Sequence, residues 1–585
     1  MAKTARASSG HLPAEGGRPQ PGPAGAPPLR AAILGSANVR VLRAAFMGEA
    51  AELLPDRKVE TLEVPYGQLR QELLDPNSSL RRWRPDLAVF CDRLEDLVAR
   101  PRLDGVAQSQ IEIAVREYAE LLAAFHSAND GWVIVHRFAQ FNRSAEAADG
   151  QAAFALVDEM NGVLAEHLAT LPQLLWLDVA AEAAAAPLAA CDPMLWHLGR
   201  LPFSESFSQR LARRWMGLTL ALLGKTARVV VLDLDNTLWG GVLGEDGLSG
   251  IRIGGDYPGN AYTTFQRALK MLPGQGIGLA VCSRNDRDLA LQALETHSAM
   301  LIRPADLVAT RIDWRPKWEN VREIAEELGL GLESLLFVDD NPIEREQVRL
   351  KLPEVKILDL PASPAFFAEA LADCPWLESA GLTAEDAGRV RSYQTQQKVR
   401  DERQAAASLD EFYTGLGMRL YLQPLEDSNL ARAVQLSQKT NQFNTTTRRY
   451  DQRSLRQIVA EGGDVVVVGL EDRHLQFENI GLIILRSDPS DTQRGVVDCY
   501  LLSCRILGRG LETAVLKWAV RRAAQRGWTT LSGAVIETPR NTPVQSVFAD
   551  AGFNAAAVPG EWVIRTDSAP EIPSWFTIHD RMPSA

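Results

Sequence analysis

The chain has 585 residues, which at ~100–200 residues per domain allows about three to five domains, and 46% hydrophobic content gives each of them a core. That excludes a disordered or fibrous chain. The 62 Lys+Arg against 74 Asp+Glu leave a formal net charge of −12, so the chain as a whole offers no basic field to release phosphate counterions, which argues against a general nucleic-acid or anionic-membrane binder.

Residues 1–29, ending GGRPQPGPAGAPPL, have the composition of a flexible tail and lack the apolar segment of a signal peptide. From Ala31 the pattern changes. Short apolar runs, Ala31–Leu34, Leu87–Cys91 and Trp132–His136, alternate with helical stretches such as Ile111–Phe125, which predicts βαβ units on a parallel sheet over 30–225. A second alternation fills 226–376, with buried strands expected at Val229–Leu232, Leu279–Cys282, Leu335–Val338 and Val355–Leu358. Between them, Val321, Ile324, Ala325 and Leu328 recur at helical spacing and make one apolar face. Residues 377–407, which include RSYQTQQKVRDERQ, read as a polar helical linker.

The remainder, 408–585, mixes helices such as Leu511–Ala524 with an alternating strand. That strand sets Val496, Asp498, Tyr500 and Leu502 against Val497, Cys499, Leu501 and Ser503. This predicts an α+β domain on an antiparallel or mixed sheet. No repeat is visible. No stretch approaches the ~18 apolar residues of a membrane span. Six scattered cysteines, Cys91, Cys191, Cys282, Cys374, Cys499 and Cys504, give neither a disulfide framework nor a zinc spacing, so a reducing cytoplasm is the expected compartment.

The chemistry concentrates in 226–376. The apolar run Val229–Leu232 ends in Asp233-Leu-Asp235-Asn-Thr237, and a strand's period of two sets both carboxylates on one side, one as nucleophile and the other as acid/base. Three further elements sit at later strand ends: Ser283, Lys317 and Asp339-Asp340-Asn341. A hydroxyl and an ammonium can hold phosphate oxygens, and the added carboxylates with Asp233 can hold Mg²⁺. Ligands bind beyond the carboxyl ends of such strands, so the four elements predict one phosphoryl-transfer site.

The order DxDxT, Ser, Lys, DD resembles the motifs of the haloacid dehalogenase (HAD) superfamily. LDLDNTLWGGVLGEDG, VCSRND, FVDDNPIEREQV, NQFNTTTRRY and LLSCRILGRGLE resemble, more narrowly, the FkbH family of HAD-like proteins from polyketide pathways, over Ala31 to about Trp562. VPYGQLRQELLDPNSSLRRWRPDLAVF looks like the N-terminal domain of the long members, related to the SGNH hydrolase fold. The resemblance implies an α/β multidomain chain: an SGNH-like domain, a HAD-like Rossmannoid parallel-sheet domain and a GNAT-like α+β acyltransferase domain.

It further implies a bifunctional enzyme that dephosphorylates 1,3-bisphosphoglycerate, holds the glyceryl unit on a cysteine and passes it to the phosphopantetheine thiol of a holo acyl carrier protein. Asp233 would attack phosphorus and Asp235 protonate the leaving group. Thr237, Ser283 and Lys317 would bind phosphate, with Mg²⁺ held among Asp233, Asp235, Asp339 and Asp340.

Cys504 precedes Arg505-Ile-Leu-Gly508-Arg509-Gly510, similar to the phosphopantetheine-binding loop of GNAT acyltransferases. Cys504 would be the acyl carrier, with Arg505, Gly508 and Gly510 at the pantetheine phosphate. Cys282, beside Ser283, is the rival. Asn441, Asn444 and Arg448 could bind substrate or simply cap and solvate. His474 and Asp472 fall where the chain departs from the family pattern. Ser36 lies in the turn Gly35-Ser36-Ala37-Asn38, which lacks the partners of an SGNH triad, so docking or scaffolding is expected of that domain. Arg448-Arg449 and Arg521-Arg522 are candidate docking clusters for an acidic carrier. Two other readings stay open: a plain Mg²⁺-dependent phosphatase whose C-terminal domain senses an acyl-CoA, and a non-catalytic docking protein for carriers.

Overall fold

The computed structural model of the chain describes residues 27–583, apart from 101, 104, 142–149, 187–188, 382–383, 407, 441–442, 504–505, 539–540, 542–543 and 559. The chain divides into two units, one of residues up to Thr226 together with Ala372–Gly381, the other of Ala227–Leu371 together with Leu382 onward.

The first unit is built on β1 (Leu29–Leu34), β2 (Val59–Leu62), β3 (Leu87–Phe90), β4 (Trp132–Arg137) and β5 (Leu174–Asp178), in the order β2-β1-β3-β4-β5 with every pairing parallel. Its inner strands are unbroken apolar runs because both faces are covered. One face packs on α1 (Arg40–Leu53) through Leu42 and Phe46, and on the later helix Glu205–Leu222 through Leu211 and Trp215. The other packs on α2 (Gln108–Ser127) and on α3 (Gly150–Leu168). Ala372–Gly381 returns to this unit, where Trp376 joins the core and Arg210 Nη2 meets Asp373 Oδ1 at 2.8 Å. Leu29, the last residue of the expected tail, is a buried strand residue, 4% exposed, because Val59 pairs with it.

In the second unit, β6 (Val229–Leu232), β7 (Gly278–Ser283), β8 (Leu307–Ile312), β9 (Leu335–Asp339) and β10 (Lys356–Asp359) form a second all-parallel sheet, ordered β10-β9-β6-β7-β8. The central place of β6 brings the ends of β9 and β7 to either side of Asp233. Val321, Ile324, Ala325 and Leu328, on α4 (Lys317–Leu328), are buried on the sheet as their spacing requires. The sequence pattern misses β2 and β8, where polar residues break the run (Glu60-Thr61 and Thr310-Arg311), and it misses β5 although Leu174–Leu177 is apolar throughout.

The linker helix α5 (Ala384–Ala405) is not a solvated connector. Val390 and Tyr393 enter the core of the second sheet and Val399 enters the next core.

That core belongs to an eight-stranded sheet, in which β11 (Arg419–Pro424), β12 (Asp464–Glu471), β13 (Glu478–Asp488) and β14 (Asp491–Leu502) run antiparallel to one another. β15 (Thr530–Ala534) is parallel to β14, pairing only Arg494–Val497 with Thr530–Gly533. A bulge at Asp498, where Val497 pairs with Leu485 and Cys499 with Ile484, reverses the phase of β14. Val497 therefore packs with Tyr500 and Leu502 beneath α6 (Leu511–Gln525), while Cys499 and Leu501 face the other side. The expected alternation, with Val497 and Cys499 on one face, is corrected on this point.

Arg522 is buried at 3% exposure against Asp464, its Nε 2.9 Å from Oδ2, so the Arg521-Arg522 pair is no solvated docking cluster. Among the described residues no helix is long and apolar enough to cross a membrane.

One buried amide ties the loop after β6 to its neighbour. Gln266 Nε2 donates to Leu238 O at 2.8 Å, and Gln266 Oε1 accepts from Leu301 and Ile302 N–H at 2.9 and 3.1 Å. Gln266→Leu orphans all three groups and is expected to cost about 2–5 kcal/mol in a urea titration. An unchanged midpoint would mean that water replaces the amide.

Candidate active site

Strand register builds the site. Leu232 pairs with Val338, so the next residues, Asp233 and Asp339, emerge side by side from adjacent parallel strands. Lys317, the first residue of α4, reaches between them: its Nζ is 2.9 Å from Asp233 Oδ1 and 2.6 Å from Asp339 Oδ2. All three side chains are buried. Burial alone would lower the Lys317 pKa, but the two carboxylates outweigh it and hold the ammonium above its usual range. Burial and the Asp233 charge push the Asp339 carboxyl up, to about 7, against the pull of Lys317. Asp340 is raised by the same two causes.

Asp233, Asp339 and Asp340 each place a carboxylate oxygen within 4.8 Å of the others. Hard oxygens crowded this closely are the donor set of a divalent cation such as Mg²⁺, and the raised acids mark negative charge in need of one. The residues present fit the ion.

Asp235 stands apart from that cluster. Its Oδ1 accepts from Trp239 Nε1 at 2.9 Å and Leu243 N–H at 3.0 Å, and its Oδ2 accepts from Asn285 Nδ2 at 3.0 Å. Burial raises its pKa, with help from the Asp233 charge and against the Leu243 and Trp239 donors. The side chain expected among the metal ligands is thus separately oriented, as a proton carrier requires.

Thr237 does not point a free hydroxyl at a phosphate. Its Oγ1 exchanges hydrogen bonds with Asp340, donating to Oδ1 at 3.3 Å and accepting the Asp340 N–H at 3.1 Å, which stitches the first loop to the last. Ser283 is 1% exposed at the end of β7, and its carbonyl accepts the Asp313 N–H at 3.2 Å.

Sequence reasoning missed Arg345, Asn285 and Trp239. Arg345, on the helix Pro342–Lys351, turns back so that Nη1 donates to the carbonyls of Asp339 at 2.6 Å and Asp340 at 2.8 Å. The Asn341-Pro342 helix start was the available signal, since it sets the first turn of that helix over the acidic loop.

In the C-terminal domain Cys504, Arg505 and Asn441 lie outside the described residues. Gly508 and Gly510 both take left-handed φ, 81° and 75°, just before α6. The Gly508 N–H is already taken, by Glu512 Oε1.

Cys282 is fully buried, its Sγ 3.6 Å from Lys317 O, and burial pushes its thiol up, which removes it as a reactive rival. Burial also raises Cys91, Cys191 and Cys374, and takes Cys499 to about 12.

His474 Nε2 lies 2.9 Å from Glu402 Oε2, and Asp472 accepts the His474 and Leu475 N–H groups and pairs with Arg509, so that stretch is a structural turn. Arg448 pairs with Asp498, and Asn444 is buried. In the first unit the Ser36 N–H donates to Asp92 Oδ1 at 2.5 Å, and burial, with Asp96, raises the Asp92 carboxyl to about 7.

No family profile and no curated protein sequence matches the chain. Among solved structures it is similar to the N-terminal part of the protein BF1531 from Bacteroides fragilis, containing a phosphatase domain complexed with Mg. The two are 26% identical, with a TM-score of 0.55, over 61% of this chain and 95% of that one. Slighter likenesses are to an N-acetyltransferase from Staphylococcus aureus Mu50 (12% identity, TM-score 0.21, 25% of this chain, 98% of that one) and to the ribosomal-protein-S18-alanine N-acetyltransferase from Escherichia coli (15%, 0.20, 26% and 97%). Likenesses that slight bear no inference about function.

Arg345 makes a direct check on the acidic loop. Arg345→Met removes both donors to its carbonyls and is expected to weaken Mg²⁺ activation of phosphate release about 10–100-fold with the fold retained by circular dichroism. Unchanged activation would show that the loop holds its shape without them.

Proposed function

We propose that the chain is a bifunctional phosphatase and acyltransferase of the cytoplasm that converts 1,3-bisphosphoglycerate into a glyceryl thioester and loads it onto a holo acyl carrier protein for polyketide assembly. The observation that carries the reading is the Asp233–Lys317–Asp339 constellation, with Asp235 held separately as acid. Mg²⁺, held by Asp233, Asp339 and Asp340, would neutralise phosphate charge there.

At the 3-phosphate an Asp233 oxygen attacks phosphorus and the ester P–O bond breaks. Asp235 gives its proton to the leaving C3 oxygen, then takes one from the water that releases inorganic phosphate from Asp233. Lys317 and Ser283 hold phosphate oxygens. The acyl phosphate at C1 is already activated, so hydrolysis there would discard what a thioester conserves. Attack by the Cys504 thiolate on C1 expels the second phosphate, and the carrier thiol then takes the acyl group while Cys504 recovers its proton. The raised thiols of Cys91, Cys191, Cys282, Cys374 and Cys499 support Cys504 in that role.

The first unit is read as a docking domain. Its Ser36 N–H is bonded to Asp92 and is not free to stabilise an oxyanion, which favours binding over hydrolysis.

A second reading, a Mg²⁺-dependent phosphatase without acyl transfer, is favoured by the Glu512 carboxylate on Gly508. Intact-protein mass spectrometry after Mg²⁺ and 1,3-bisphosphoglycerate separates the two. The wild type is expected to gain a glyceryl group that moves to holo carrier. Asp233→Asn should keep a phosphoglyceryl adduct, and Cys504→Ala should release phosphate with no adduct. Phosphate release from the wild type without an adduct on either protein would leave the second reading.

A further inference from the structure

The loop after β6 doubles back on itself. Gly240 and Arg252 form an antiparallel bridge, with Gly240 N–H donating to Arg252 O at 3.0 Å and Arg252 N–H to Gly240 O at 2.8 Å, and residues 240–252 thereby make a flap continuous with the segment that bears Asp233 and Asp235. Its root is fixed. Gly241 N–H donates to Asn236 Oδ1 at 2.9 Å, and Leu243 N–H is one of the donors on Asp235. Gly240 has to be a glycine, because a Cβ there would lie 2.8 Å from the Tyr262 ring. Ile251 and Ile253 are buried, so the alternation of an extended chain turns Arg252, between them, outward, where its side chain is exposed.

The flap belongs to one side of the site. Asp235, the acid that meets the leaving oxygen, is held by the flap amide of Leu243 and by Trp239, so the flap borders the leaving-group side, along which the carbon skeleton of a phosphate ester extends. Burial raises the pKa of the Tyr262 hydroxyl, with Asp340 and Tyr257 adding to the rise and Arg252 opposing it, which puts that one hydroxyl within electrostatic reach of both the acidic cluster and the flap guanidinium. Three arginines of neighbouring loops are already engaged. Arg284 Nη1 lies 2.7 Å from Glu344 Oε1, Arg315 pairs with Asp313 and Glu323, and Arg345 holds the two carbonyls of the acidic loop. Lys317 is spent on Asp233 and Asp339. Among the described residues the Arg252 guanidinium has no ion pair and no hydrogen bond.

We propose that Arg252 is a specificity-determining residue: its guanidinium binds a second anionic group of the substrate, so that the site selects phosphate monoesters of short carbon acids, with a carboxylate or acyl phosphate two carbons beyond the ester carbon, over monoesters with a neutral tail. The proposal rests on the phosphatase reading of the Asp233–Lys317–Asp339 site. Carboxylate and phosphate oxygens both match the paired N–H donors of a guanidinium. A mouth lined by three carboxylates repels such a substrate, and a cation at its leaving-group side offsets that repulsion. Because the flap is tied to Asp235, an anion held on Arg252 also sets the ester oxygen against its proton donor.

Release of the 3-phosphate by the full chain with Mg²⁺ is measured on 3-phosphoglycerate, which carries a carboxylate, on enzymatically generated 1,3-bisphosphoglycerate, which carries an acyl phosphate, and on glycerol 3-phosphate, which carries neither. The wild type is expected to prefer the first two over the third by about 10–100-fold in kcat/KM, mostly through KM, and Arg252→Gln to bring the three level. Arg252→Lys keeps the charge without the fork and is expected to retain part of the preference. A loss confined to 1,3-bisphosphoglycerate would assign the acyl phosphate, rather than the carboxylate, as the anion that Arg252 reads. No preference in the wild type, a preference unchanged in Arg252→Gln, or a loss by equal factors on all three substrates would overturn the proposal while the phosphatase reading stands. Phosphate released by the wild type from none of the three would overturn both.

Discussion

Three carboxylates crowded at the carboxyl ends of a sheet's inner strands repel one another, and the arrangement of the second unit follows from holding them there. Asp233 and Asp339 are brought together by the parallel pairing of β6 with β9, and Lys317 bridges them at 2.9 and 2.6 Å. A buried ammonium between two buried acids is costly unless the geometry is good, and removing one member would strand the others. The remaining contacts serve that geometry. Thr237 fastens Asp340 to the first loop, Arg345 holds the carbonyls of Asp339 and Asp340, and Asn285, Trp239 and the Leu243 amide keep Asp235 out of the cluster. Two acids two residues apart thereby stand in different surroundings, one against Lys317 and the other among neutral donors.

The C-terminal domain solves a different constraint. Two parallel strands that part leave unpaired backbone groups, and buried backbone groups must be paired. Phe443–Thr446, laid along the end of β14 as a strap, and the Glu512 carboxylate on the Gly508 N–H meet that need from within the chain. The bulge at Asp498 belongs to the same device. It turns Tyr500 toward α6, where its hydroxyl reaches Glu512, and leaves Asp498 to pair with Arg448. Arg448 and Asn444, which composition allowed as substrate ligands, are drawn into the packing of the strap.

The first unit has the open, parallel sheet in which ligands settle at the reversal of strand order, here between β1 and β3. What stands at that point is a carboxyl, Asp92, closing on the amide of Ser36. An acceptor in the place of a donor is poor equipment for stabilising an oxyanion.

The sequence by itself determined the fold class, the inner strands of both parallel sheets and the acidic, lysine-bearing loops, because apolar runs and helical spacing are local and a strand-end carboxylate can be read one residue at a time. β2 and β8 escaped it, since Glu60-Thr61 and Thr310-Arg311 interrupt their apolar runs. The separation of Asp235 from the other carboxylates was only partly local: Trp239 and the Leu243 amide reach it from its own loop, but Asn285 arrives from the end of β7, and no spacing encodes that arrival. The same holds for Arg345, reaching back from the next helix, for Cys282, buried in a strand, and for the strap that fills the edge of β14. Each depends on which distant residue meets which backbone group, and that is settled only when the layers pack.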